Sequence, residues 1–257
     1  MNAFKQKISE EIKQVLLQSD TVFAAWEGGS AATGFEDSYS DLDLAVLSGT
    51  DHVEDVFVLI SHFLEKQYGI LHSIRMPEPA WHGMSQCFYF INGAPDFFYI
   101  DLAVMKEDVK DPLLEKERHG HAKVWFDKKN FVVPVTIDMT KYQQKMRDLY
   151  KHTVAFFPLL FVEFKKNATR GSIVETWKLY NNILGQFIAV MNLKYRPAKF
   201  DFQSRYIERD YPADEAMLIQ SLCMPKTMTE MKSNGDYIEK RFKDICKELA
   251  NTYGDVS

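Results

Sequence analysis

The 257-residue chain is poor in cysteine. It has only Cys87, Cys223 and Cys246, which lie far apart and show no C-x-x-C spacing. That excludes a disulfide framework and points to a reducing compartment. It also lacks a long apolar run: the longest, Val154–Val162, is short and contains Pro158, well below the roughly eighteen residues of a membrane span. The opening MNAFKQKISEEIKQVLLQSD reads as an amphipathic helix and has no signal-peptide apolar core. The expected location is the cytoplasm, with no membrane partner. No G-x-S-x-G, P-loop or G-x-G-x-x-G pattern occurs. Positive charge is scarce in one half. Residues 1–105 carry 5 Lys/Arg against 15 Asp/Glu, and residues 106–257 carry 26 against 21, so nets of −10 and +5 make up the overall −5. A net negative chain does not suit broad nucleic-acid binding. An acidic half joined to a mildly basic half suits two domains of different surface composition, and equally a site that holds cations on one wall and phosphates on the other.

The remaining pattern changes along the chain. Residues 4–18 show helical spacing through Phe4, Ile8, Ile12 and Val15 or Leu16. Thr21–Trp26 is a short apolar run ending at Gly28-Gly29, which fits a buried strand. Leu42, Leu44 and Val46 alternate with Asp41, Asp43 and Ala45, which predicts a strand with one acidic end. Helical period returns over Val53–Gln67. Strands are expected at Ile70–Arg75, Gln86–Ile91 and Phe97–Met105, with a hairpin signal at Asn92-Gly93. The second half has no strand alternation. Tyr142–Lys166 and Ser172–Leu193 read as core helices joined by Asn167–Gly171, the first with Pro158 inside it. Pro212–Cys223 and Thr227–Ala250 supply two more helices. The expected class is α+β: a mixed-sheet domain over residues 1–137, then an all-α helical bundle over residues 138–257.

The informative stretch is GGSAATGFEDSYSDLDLAVL, Gly28–Leu47. Two glycines after a buried strand let the backbone approach a ligand closely. Backbone N–H groups and the Ser30 hydroxyl would then face an anion. Asp41 and Asp43 fall on one face of the following strand, while Leu42 and Leu44 point into the core. Two adjacent carboxylates repel, and a divalent cation between them relieves that cost. A phosphate-cradling turn beside paired carboxylates is what metal-assisted phosphoryl or nucleotidyl transfer needs.

Gly29-Ser30, a spacer, and Asp41-x-Asp43 with Ser40 before and Leu44 after resemble the motif of the nucleotidyltransferase superfamily with a polymerase-beta-like catalytic domain. The similarity extends to small-molecule and antibiotic adenylyltransferases, which pair this domain with a C-terminal helical one. The resemblance implies ATP or another nucleoside triphosphate as donor, Mg²⁺ (or Mn²⁺) as metal, and transfer of the nucleoside monophosphate with release of pyrophosphate. It also implies a third carboxylate from a later strand, and Asp101 in FFYIDLAVM is the candidate, as metal ligand, base or both. A buried carboxylate in such an apolar run needs a partner.

Among the cations, Lys178 and Arg205 are the expected phosphate contacts. Arg205 lies in the basic-aromatic stretch KYRPAKFDFQSRYIERD, with Lys194, Arg196, Lys199 and Arg209. Glu163 and Glu175 are further acidic candidates on the helices, and Trp177, Tyr180 and Tyr206 are candidate acceptor contacts in a cleft between the two domains. The expected acceptor is a small hydroxylated molecule. Two other readings stand beside it: a protein AMP-transferase, and an inactive nucleotide-binding regulatory module, against which the intact D-x-D argues. His119-Gly120-His121 has no further ligand set to make it a metal motif, and Arg147-x4-His152 is a match of two common residues that arises easily by chance.

Overall fold

The structure, a computed structural model, describes residues 3–78, 80, 82–109 and 112–254. The chain divides into two compact units after Ile137. The first is α+β, and the second is helical.

The first unit begins with helix α1 (Ala3–Leu17), strand β1 (Val22–Glu27), the short helix α2 (Gly29–Thr33) and strand β2 (Leu42–Ser48). Helix α3 (Val53–Gln67) follows, then strands β3 (Ile70–Arg75), β4 (Ser85–Ile91) and β5 (Ile100–Lys106). A one-turn helix α4 (Lys116–His119) and strand β6 (Lys123–Asp127) complete it. The strands described form one sheet in the order β3-β4-β5-β2-β1-β6. β2 and β5 run parallel, and the other pairs are antiparallel, so the sheet is mixed.

Alternation decides which side chains reach which face. Leu42, Leu44 and Val46 join Ile100, Leu102 and Val104 in a core with α1 and α3, and these six residues are almost fully buried. Burying each contributes about 2 kcal/mol, so a one-residue slip of β2 is strongly disfavoured. The same alternation sends Asp43, Ala45 and Leu47 to the opposite face with Asp101, Ala103 and Met105. There Leu47 and Met105 pack with Trp26, Met84, Leu114 and Val132 in a second, smaller core. One face is therefore apolar throughout, while the other grades from acidic to apolar along β2 and β5.

β6 escaped the periodicity reading. It is five residues long, sits at the sheet edge and is partly exposed, so KVWFD shows no clean alternation. Nor is the β4–β5 connection a tight hairpin. Gly93 has φ +70°, but residues 92–99 all lie between the strands.

The second unit contains α5 (Gln143–Arg170), α6 (Ile173–Tyr195), the one-turn α7 (Ile207–Asp210), α8 (Ala213–Cys223) and α9 (Met228–Tyr253). The expected connector Asn167–Gly171 is helical through Arg170. Gly171 supplies the left-handed C-cap, so the chain turns there. Pro158 lies inside α5. The ring of Phe157 stacks on Phe242 of α9 at 3.8 Å between centroids, and Thr227 caps α9 by accepting from the Glu230 N–H.

Candidate active site

β2 and β5 are paired so that Asp43 lies directly opposite Asp101. Both are half-buried on the face that carries Ala45 and Ala103, which pack against the smaller core. Asp41, just before β2, adds a third negative charge to the group. Burial pushes the Asp43 carboxyl up to about 7, with Asp41 and then Asp101 adding to the effect. Asp101 is raised to about 6, chiefly by burial and further by Asp41, while a hydrogen bond from Gln86 opposes the rise. The Tyr99 phenol, hydrogen-bonded to Asp41 and buried near all three carboxyls, is held above its ordinary value. The protein has gathered negative charge here at a cost to its own stability, which is a hallmark of a functional site.

The Gly28–Ser30 turn lies against Asp43. The Gly28 N–H donates to the Asp43 carbonyl at 2.9 Å, tying the end of β1 to β2. Gly29 has φ +50°, and a Cβ added there would fall 1.7 Å from Asp43 Oδ2. Only glycine fits. The Ser30 Oγ is buried and has no hydrogen-bond partner among the described residues. Thus the sequence-predicted Gly29, Ser30, Asp43 and Asp101 are brought together, with Asp41 at their edge.

Among the described residues, no group of three or more His, Cys, Asp or Glu is gathered tightly enough to enclose an ion. The three carboxylates therefore form no closed ligand set here, and an ion held by them would draw the rest of its shell from water and substrate phosphate. The in-register carboxylates of Asp43 and Asp101, the glycine cradle and the orphaned Ser30 hydroxyl fit such an ion with an anionic ligand beside it.

A buried ion network that sequence reasoning did not foresee stands behind this turn. Lys5 of α1 is 2% exposed and reaches Glu36 at 2.7 Å and Glu27 at 3.5 Å. Glu27, at the end of β1, also meets Lys123 at 2.9 Å and accepts from the Trp125 indole at 3.0 Å. α1, β1, β6 and the loop leading to Asp41 are tied together in this way, and the Lys5 charge acts to lower the Asp43 carboxyl. Gly120, read only as the middle of a histidine pair, has a packing role. It has φ +79°, and a Cβ there would meet the Ala32 carbonyl at 2.3 Å, while the His121 N–H donates to that carbonyl.

A second missed group flanks Asp101. The Gln86 amide on β4 donates to both Asp101 oxygens, at 2.7 and 3.0 Å. His82 lies beyond it, 3.3 Å from Gln86 Oε1, and burial holds its imidazole below the ordinary value.

No family model matches the chain, and no curated protein matches it. Solved structures do. Its structural neighbours include a nucleotidyltransferase-like protein and an adenyltransferase. The first, from Exiguobacterium sibiricum 255-15, is 9% identical with a TM-score of 0.39, covering 97% of this chain and 76% of that one. The second, spectinomycin adenyltransferase AAD(9) from Enterococcus faecialis with ATP and spectinomycin, is 13% identical with a TM-score of 0.33, covering 95% of this chain and 100% of that one. At such scores the functional argument rests on the residues above.

The remaining predicted residues belong to the second unit. Lys178 and Arg205 are both exposed, and the Arg205 guanidinium lies over the Phe202 ring. Other members of the basic stretch are consumed by the fold. Arg196 is buried and donates to the Gln203 and Arg205 carbonyls and to Asp210, Lys199 pairs with Asp210, and Lys194 pairs with Glu248. Tyr180 is fully buried and donates to the Leu222 carbonyl, so it is a core residue and is unavailable to an acceptor. Trp177 and Tyr206 are exposed, Glu163 pairs with Lys166, and Glu175 is exposed in the first turn of α6.

Proposed function

We propose that this chain is a metal-dependent nucleotidyltransferase that moves a nucleoside monophosphate, AMP from ATP, to a small hydroxylated acceptor and releases pyrophosphate. The observation that carries the reading is the in-register pair Asp43–Asp101 on adjacent parallel strands, with Asp41 beside it and the Gly29–Ser30 turn against it. Asp41 and Asp43 would hold Mg²⁺ (or Mn²⁺), with Asp101 completing the set. A bound divalent cation would neutralise charge on the phosphates and stabilise the transferring group.

The chain's own residues have separable tasks. The Ser30 hydroxyl and the amides near it bind the β- and γ-phosphates of the donor. Asp101 accepts the proton of the acceptor hydroxyl as that oxygen attacks the α-phosphorus, and the bond to pyrophosphate breaks. Lys5, through Glu27 and Glu36, keeps the turn and the Asp41 loop in place. Lys178 and Arg205, exposed cations of the second unit, are proposed to bind phosphate, Arg being suited by its planar fork. No helix among the described residues is long and apolar enough to cross a membrane.

Calorimetry with ATP, in Mg²⁺ and then in EDTA, tests the binding half of the proposal. Affinity in Mg²⁺ and none in EDTA is expected. Equal affinity in both removes the cation from the mechanism.

A further inference from the structure

We propose that Gln86 is a positioning residue that aims Asp101, and that His82 holds Gln86 in the orientation this requires. The inference rests on reading Asp41, Asp43 and Asp101 as the transfer centre.

Strand register brings the three residues together. Gln86 pairs with Ala103 and Phe88 with Asp101, so Gln86 and Asp101 share a face and lie diagonally across β4 and β5. Gln86 is 6% exposed, so its amide must be satisfied inside the protein.

Hydrogen-bond polarity then fixes every orientation. An ionised carboxylate can only accept, so the amide nitrogen of Gln86 faces Asp101, at 2.7 and 3.0 Å from its two oxygens. The amide oxygen therefore points away and requires a donor. His82 Nε2 lies 3.3 Å from it. Which imidazole nitrogen bears the proton follows from the opposite edge of the ring: the Met84 N–H donates to Nδ1 at 3.1 Å, so Nδ1 must accept and Nε2 must donate. The series runs in one direction, from Met84 N–H to His82 to Gln86 to Asp101.

Such a series does more than bury polar groups. One amide nitrogen set against both carboxylate oxygens restrains the plane of Asp101, yet leaves lone pairs on both oxygens for a ligand or proton. It also favours the ionised form that either role needs. Gln86 stands to Asp101 as an outer partner stands to a metal-ligating side chain, where loss of the partner typically weakens metal affinity or activity about 10–100-fold.

The test uses the full chain, Mn²⁺ alone as the probe, and a thermal melt to check folding. Wild type is compared with Gln86→Leu, His82→Leu and the double variant. Gln86→Leu is expected to weaken Mn²⁺ binding by about 10–100-fold. His82→Leu should weaken it in the same direction but less, and the double variant should be no worse than Gln86→Leu, because His82 reaches Asp101 through Gln86. Wild-type affinity in Gln86→Leu overturns the proposal, as do losses that multiply in the double variant. If Gln86→Leu does not fold, His82→Leu decides alone, and unchanged affinity there overturns it. A wild-type chain that binds no Mn²⁺ is a different result, because the reading of the transfer centre then falls and this inference falls with it.

Discussion

Asp43→Asn should make the metal-free protein more stable at pH 8 while abolishing transfer. The Asp43 carboxyl is raised from its ordinary 3.8 to about 7 by burial and by its acidic neighbours. The folded state therefore binds this proton more tightly than the unfolded chain does. Its contribution to stability is fully present below pH 4 and is lost as pH rises through about 7. Ionising the group in the folded protein costs at most on the order of 4 kcal/mol. Burial of the carboxylate is the largest part of that cost, ahead of Asp41 and Asp101, and a buried amide keeps some of it, so the variant recovers roughly 2 kcal/mol. For a unit of this size that corresponds to about 4–8 °C in melting temperature. The assay is thermal unfolding of wild type and variant in EDTA, at pH 5 and pH 8. The variant should melt higher at pH 8, and the gap should shrink at pH 5. A gap that is absent at pH 8, or equal at both values, refutes the electrostatic account of the site. A variant that still transfers nucleotide at the wild-type rate refutes the assignment of Asp43.

Three further outcomes follow from the same geometry. Asp101→Asn separates two roles: a pure base is needed for turnover but little for Mg²⁺-ATP affinity, whereas loss of a ligand weakens both. If neither changes, Asp101 is structural. Lys5→Met should destabilise the chain by about 3–5 kcal/mol, because it leaves Glu27 buried with less compensation; an unchanged melting temperature would show that Lys123 alone satisfies Glu27. Arg205→Ala should raise the KM for ATP more than that for the acceptor, and equal KM values in variant and wild type would release Arg205 from the phosphate role.

The centre of this site was legible because its signal is local. Alternation in Asp41–Leu47 places carboxylates and leucines on opposite faces with no tertiary information, and the two glycines announce a close backbone approach before the structure shows Asp43 against Gly29. Asp101 was reachable as a lone carboxylate in an apolar strand. What escaped depends on partners far apart in sequence. Lys5 looked like one more exposed cation of an amphipathic helix, since nothing nearby betrays Glu27 and Glu36. Gln86 looked like the polar start of a strand, and its meaning comes from Asp101 on the next strand and from His82. The basic stretch after Lys194 divides between the fold and the surface, where Arg205 stays exposed. Its composition suggested phosphate binding, but Arg196 and Lys199 fold the loop that contains them.

The most direct measurement follows the phosphorus. The chain is incubated with ATP labelled at either the α- or the γ-phosphate, with Mg²⁺ and a panel of small hydroxylated molecules, beside Asp41→Asn and Asp43→Asn controls. The account predicts that label from the α-phosphate, and none from the γ-phosphate, appears on an acceptor together with pyrophosphate. Both variants and EDTA should abolish it. Transfer of the γ-label, or α-label transfer that survives both substitutions, would contradict the account.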